Sequence, residues 1–167
     1  TSAEGCEGAE FFITITVNPS AEMSAPQDLE VCNGATPPTV INFTTANSVG
    51  VTSYTWENTE GVDVGLGATS GTIDDSDVDI SFTPSNPGSV AISTTITVTP
   101  TFTYNGVSCI ADESQIFTIT VNPVPQINNV TETICNGDSF STVDPSTITG
   151  NVVPTGTTYT WGTPSST

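Results

Sequence analysis

The dense carboxylate run Asp74-Asp75-Ser76-Asp77-Val78-Asp79 is the place where this sequence could hold a hard cation. Ca²⁺ takes about six to eight oxygen ligands, and clustered Asp side chains supply them. Asp74, Asp75, Asp77 and Asp79 are therefore the candidate calcium ligands. The run does not follow the EF-hand pattern, because no Gly stands at its sixth place and no Glu at its twelfth. A solvated acidic turn is the plain alternative. Paired carboxylates could also serve glycoside hydrolysis, but that chemistry needs a pocket and one raised pKa. A tight turn offers neither.

The four cysteines are the second set of reactive groups. There is no CxxC pair and no His, so a zinc site is not indicated. In a Thr-rich chain with no Lys, they fit an oxidising, extracellular setting. The spacing leaves two pairings that respect the repeat described below. Cys32 and Cys109 can close one module, leaving Cys6 and Cys135 to partners in neighbouring repeats. Alternatively, Cys6 pairs with Cys32 and Cys109 with Cys135. The first is the expected pairing, since it stabilises each unit independently. Closing so long a loop contributes on the order of 4 kcal/mol in the chain-entropy model.

What the chain lacks excludes more than these groups offer. It has no Lys, Arg or His, against 18 Asp and Glu, for a formal charge of −18. Without cations it cannot grip phosphates, so nucleic acids are excluded as partners. Anionic membrane surfaces are excluded by the same sign, and no stretch approaches the length of a membrane span. The commonest general bases and Schiff-base nucleophiles are missing, so the expected function is not enzymatic. With no cation to pair, mutual repulsion is expected to raise carboxylate pKa values on balance. Mild acid or added salt is then expected to stabilise the fold.

The elements that must carry these groups read as strands. Thr makes up roughly one residue in five, Val and Ile are plentiful, and Gly, Pro and Asn recur every few residues. β-Branched side chains fit pleated strands, and the punctuation fits short turns. No helical periodicity is evident, and the fold class is all-β. From Val90 the even positions read Val90, Ile92, Thr94, Ile96, Val98, Pro100, Phe102 and Tyr104, while the odd ones are Ala, Ser and Thr. One face is apolar and the other hydroxylated, as in a sheet with one wet side. Pro100 cannot donate to a ladder and predicts a bulge or an edge. Asn105-Gly106 predicts the hairpin turn, with Phe117, Ile119 and Val121 on the inner face of the returning strand. Tyr54 and Trp56 read as core residues between two sheets, the alternative being a sugar-stacking platform.

The sequence also repeats itself. Cys6 and Cys109 are 103 positions apart, as are Cys32 and Cys135. Asn18-Pro19 recurs as Asn122-Pro123 after 104 positions, and Tyr54-Thr55-Trp56 as Tyr159-Thr160-Trp161 after 105. Four landmarks at one spacing indicate tandem units. The expected organisation is the last strand of one repeat over 1–19, a complete repeat over 20–123 and the first part of the next over 124–167. The chain opens inside a strand, as an excerpt from something longer would. Units of about a hundred residues with short, evenly punctuated strands predict immunoglobulin-like β-sandwiches.

The phrases Thr-Ile-Thr-Val-Asn-Pro, Val-Cys-Asn-Gly, Tyr-Thr-Trp-Glu-Asn, Ile-Thr-Val-Thr-Pro-Thr and Asn-Gly-Val-Ser-Cys, in this order, resemble the PKD-like repeats of giant Bacteroidota cell-surface adhesins. The resemblance spans essentially the whole chain. It implies type IX secretion, an extracellular position attached to the outer membrane, and a structural or adhesive role in gliding motility or surface attachment. It also implies neighbouring repeats of the same chain as partners, with extracellular polysaccharide or a solid surface as what is gripped. It carries over no binding residue; the only cofactor considered is the calcium that the Asp cluster itself suggests. The rival expectation is a carbohydrate-binding accessory module of a large secreted enzyme, which an exposed aromatic row would favour.

Overall fold

A computed structural model describes residues 3–74 and 79–162. Eight strands follow in chain order: β1 (Leu29–Cys32), β2 (Thr39–Asn42), β3 (Val51–Asn58), β4 (Ser70–Ile73), β5 (Asp79–Phe82), β6 (Ile92–Tyr104), β7 (Val107–Ile110) and β8 (Gln115–Asn122). The described residues contain no α-helix, and one short 3₁₀ turn covers Pro145–Thr147. The all-β expectation holds.

The larger sheet runs β1-β8-β6-β3-β4, with β7 also on β6, and the smaller one pairs β2 with β5. Among the described residues only β1 and β8 run parallel; every other strand pair is antiparallel. Thus β2 and β5 leave the large sheet and form the opposite layer. Between the layers, Ile41, Phe43, Ile80 and Phe82 meet Tyr54, Trp56, Ile73, Ile96, Val98, Phe117, Ile119 and Val121. Phe43 lies 5.4 Å from Tyr54 and 6.5 Å from Phe117, centroid to centroid, within the range of favourable aromatic pairs.

β6 is the spine, and its alternation is the one read from sequence. Ile96, Val98 and Phe102 are fully buried, and Thr95, Thr97, Thr99, Thr101 and Thr103 point outward, partly exposed. Val90 departs from the expected face: it precedes the strand and is exposed. Pro100 sits inside β6, and the irregularity it demands appears in the facing strand. The Pro100 carbonyl accepts from the Ala111 N–H, so the missing Pro N–H also points toward that side. There the return strand breaks between β7 and β8. Asn105 and Gly106 both have positive φ, 51° and 77°, as a two-residue type I′ turn requires.

Among the described residues the core belongs entirely to residues 21–121. Residues 3–19 form no strand, and Phe11, Phe12, Ile13, Ile15 and Val17 are all exposed. Residues 124–162 carry one isolated bridge, Gln126 to Val152, and Phe140 and Trp161 are exposed. These two segments are the sequence twins of β8 and of the β1–β3 region.

Candidate functional site

The outer face of the large sheet is paved with hydroxyls because β-branched Thr occupies every outward position of β6 from 95 to 103. Register sets Thr55 of β3 opposite Thr99, Ser53 opposite Thr101, and Thr118 and Thr120 of β8 opposite Thr95 and Ser93. The hydroxyls bond one another across the strands. Ser93 and Thr120 are 3.0 Å apart, Thr99 and Ser114 2.7 Å, and Thr103 and Ser108 2.9 Å. Thr95 donates to Glu60 at 2.9 Å. Such pairs add a few tenths of a kcal/mol each, up to about 1. A shallow trough of about 490 Å³ crosses this face, lined by Thr55, Glu57, Ser70, Thr72, Thr97 and Thr99.

Beneath that trough lies Trp56, 8% exposed, with Tyr54 fully buried beside it. Gly71, facing Trp56 on β4, makes room for the indole: a Cβ there would stand 2.7 Å from Trp56 Nε1. The two aromatics are core residues, and among the described residues no aromatic row stands on this face.

The acidic run is only partly in view. Asp75 and Asp77 lie outside the described residues. Asp74 follows β4 and is exposed, while Asp79 opens β5 and accepts a hydrogen bond from the Asn42 side-chain amide on the paired strand. Among the described residues, no group of three His, Cys, Asp or Glu could hold a metal ion.

The cysteines correct the expected pairing. All four are free thiols. Cys32 pairs in register with Asn122, one step past the Val121–Ile92 pair, whereas Cys109 pairs with Phe102. Eleven strand positions along β6 separate these levels, about 36 Å. A disulfide needs Cα atoms within about 7 Å, so Cys32 and Cys109 of one unit cannot be joined. They mark opposite ends of the sandwich.

No family model, no curated protein and no solved structure matches this chain. The positions that organise its two ends must therefore be read from geometry alone.

At the entry end, Asn47 gathers the incoming chain. Its Oδ1 accepts from the Glu22 N–H at 2.9 Å and from Thr45 Oγ1 at 3.0 Å, and its Nδ2 donates to the Ser20 carbonyl at 3.1 Å. Asn18 Nδ2 donates to the Tyr104 carbonyl at the hairpin tip, 3.2 Å away. At the exit end, Asn86 is 2% exposed and donates to the carbonyls of Val90 and Val121 at 2.9 and 2.8 Å. Its own N–H donates to Asn33 Oδ1 at 2.9 Å. Asn122 Nδ2 then reaches Glu30 at 2.8 Å. In the sequence Asn47 and Asn86 look like turn punctuation. The Asn-Pro pair at 86–87 signals Asn86 alone, and nothing in the sequence singles out Asn47.

Proposed function

We propose that this chain is a structural, adhesive module of a large extracellular filament, built from immunoglobulin-like sandwiches in series. The observation that carries the reading is the polarity of the sandwich. The chain enters beside Tyr104, at one end of β6, and leaves at Asn122, beside the other. These ends are separated by the length of β6, about 40 Å for its 13 residues. Units joined in this way lengthen a filament by nearly their full height at each copy.

Several features support the immunoglobulin-like, PKD-like form: two packed layers, a chain that crosses to the smaller layer at β2 and again at β5, and a Trp buried in the third strand. The twin segments flanking the sandwich support the series. Pro19 and Pro123 each fix a backbone φ at the junctions, which limits bending. A charge of −18 without a single side-chain cation favours an extended, unclumped string. The resemblance to giant surface adhesins points the same way, to attachment or gliding outside the cell. The burial of Tyr54 and Trp56 removes the aromatic platform that a carbohydrate-binding module would have used.

Small-angle scattering on the full chain and on a form carrying residues 20–123 twice tests this reading. The expected result is growth of the longest dimension by about 40 Å with an unchanged cross-section. A duplicated form that compacts into a thicker particle would overturn it.

A further inference from the structure

We propose that the cysteines staple successive units: Cys32 of one unit bonds to the Cys109 equivalent of the unit that follows it. The inference rests on the modular reading above, but its evidence is the local geometry of both ends. Cys109 lies on the entry end, half-buried, and shares a cavity of about 520 Å³ with Thr16, Val17, Asn18, Asn105 and Val107. Residues 16–18 are the sequence twins of Thr120, Val121 and Asn122, the end of β8. In the complete unit, Asn122 has Cys32 as its register partner on the parallel strand β1. Applied to the preceding unit, the same register sets a Cys32 equivalent one strand spacing from Asn18, about 4.8 Å. Asn18 is itself hydrogen-bonded to Tyr104, the residue paired with Val107 in the hairpin that carries Cys109.

The register thus brings two thiols to each junction, one from each neighbour, both beside Asn18. The pairing differs from both pairings expected from the sequence. Cys32 with Cys109 inside one unit fails on the separation of about 36 Å along β6. Cys109 with Cys135 fails further, because Cys135 is the twin of Cys32 and belongs at the far end of the next unit. Formation is an ordinary exchange. The two thiols lose two protons and two electrons to a small-molecule disulfide such as oxidised glutathione, which leaves as two thiols.

The test uses the full chain with residues 20–123 inserted a second time after Pro123, and with Cys6 and Cys135 replaced by Ser. The protein is oxidised with glutathione disulfide, alkylated and weighed. One disulfide and two alkylated thiols are expected. Replacing Cys32 of the first copy, or Cys109 of the second, should abolish the bond and leave three alkylated thiols. Replacing Cys32 of the second copy or Cys109 of the first should leave the bond in place. A bond that survives loss of the first copy's Cys32 would overturn the pairing. So would four free thiols in a protein whose inserted copy shows protected amides by hydrogen exchange. An inserted copy without protected amides would instead overturn the modular reading, and the staple with it.

Discussion

Asn86 Nδ2 stands 2.8 Å from the carbonyl oxygen of Val121, a contact that ties the β5–β6 connection to the last inward residue of β8. The same amide holds the Val90 carbonyl, and Asn86 Oδ1 accepts from the Gly88 N–H at 3.0 Å. One buried side chain therefore satisfies two carbonyls and one N–H at the exit end. Asn86→Ala strands those groups, and each buried unsatisfied partner costs about 1–3 kcal/mol. A loss of about 3 kcal/mol or more in urea unfolding is expected. Asn33→Ala, which removes only the bond to the Asn86 N–H, should cost about 1 kcal/mol. Equal losses for the two variants would contradict the hub role of Asn86.

Gly65 and Gly67 separate two kinds of glycine requirement. Both have positive φ, 99° and 73°. A Cβ on Gly65 would stand 2.1 Å from the Thr83 carbonyl oxygen, while one on Gly67 meets nothing within 4 Å. Gly67→Ala should cost about 1 kcal/mol, the backbone term alone. Gly65→Ala adds a clash with backbone that cannot swing aside, and it should lower the thermal midpoint several times further. Differential scanning calorimetry on the pair reads the contrast directly.

Much of this fold was legible where the side chain and its local period say the same thing. β6, the Asn105-Gly106 turn, the irregularity that Pro100 forces and the inward Phe117-Ile119-Val121 set all follow from alternation and turn chemistry. The cysteine pairing was not legible, because it depends on β1 lying parallel to β8 and ending level with Asn122. Such a register belongs to the topology and leaves no mark in the spacing of Cys32 and Cys109. Asn47 and Asn86 were hidden for a related reason. An Asn that closes a turn looks the same in sequence whether its amide faces water or two buried carbonyls.

Trp56 and Trp161 close the same Tyr-Thr-Trp triplet in the sequence but stand in opposite environments, 8% and 84% exposed. Trp161→Phe should therefore leave an emission spectrum that is blue-shifted and resistant to acrylamide. Trp56→Phe should leave one that is red-shifted and readily quenched. Trp56→Ala should cost about 3–5 kcal/mol, the range for deleting a large core aromatic. Trp161→Ala should leave unfolding of the sandwich unchanged. Equal quenching of the two single-Trp proteins would refute the buried position of Trp56.

Glu132 and Asp144 titrate against the trend that a chain of uniform charge would suggest. Repulsion alone raises carboxylate pKa values, yet both of these exposed groups are held below their ordinary values of 4.5 and 3.8. Ser141 is the cause at Glu132, donating its hydroxyl at 2.6 Å and its backbone N–H at 2.9 Å. Ser146 does the same at Asp144, at 2.7 and 2.9 Å. A folded pKa below the unfolded one means that the folded form binds fewer protons. The contribution of these bonds is complete above the ordinary carboxylate value and disappears as pH falls through the lowered one. Carboxyl-carbon NMR titration should place Glu132 below 4.5, and Ser141→Ala should return it upward while leaving Asp144 unmoved. A Glu132 titration unaffected by loss of the Ser141 hydroxyl would overturn the leading role of that hydroxyl and leave the Ser141 backbone N–H as the donor that lowers it.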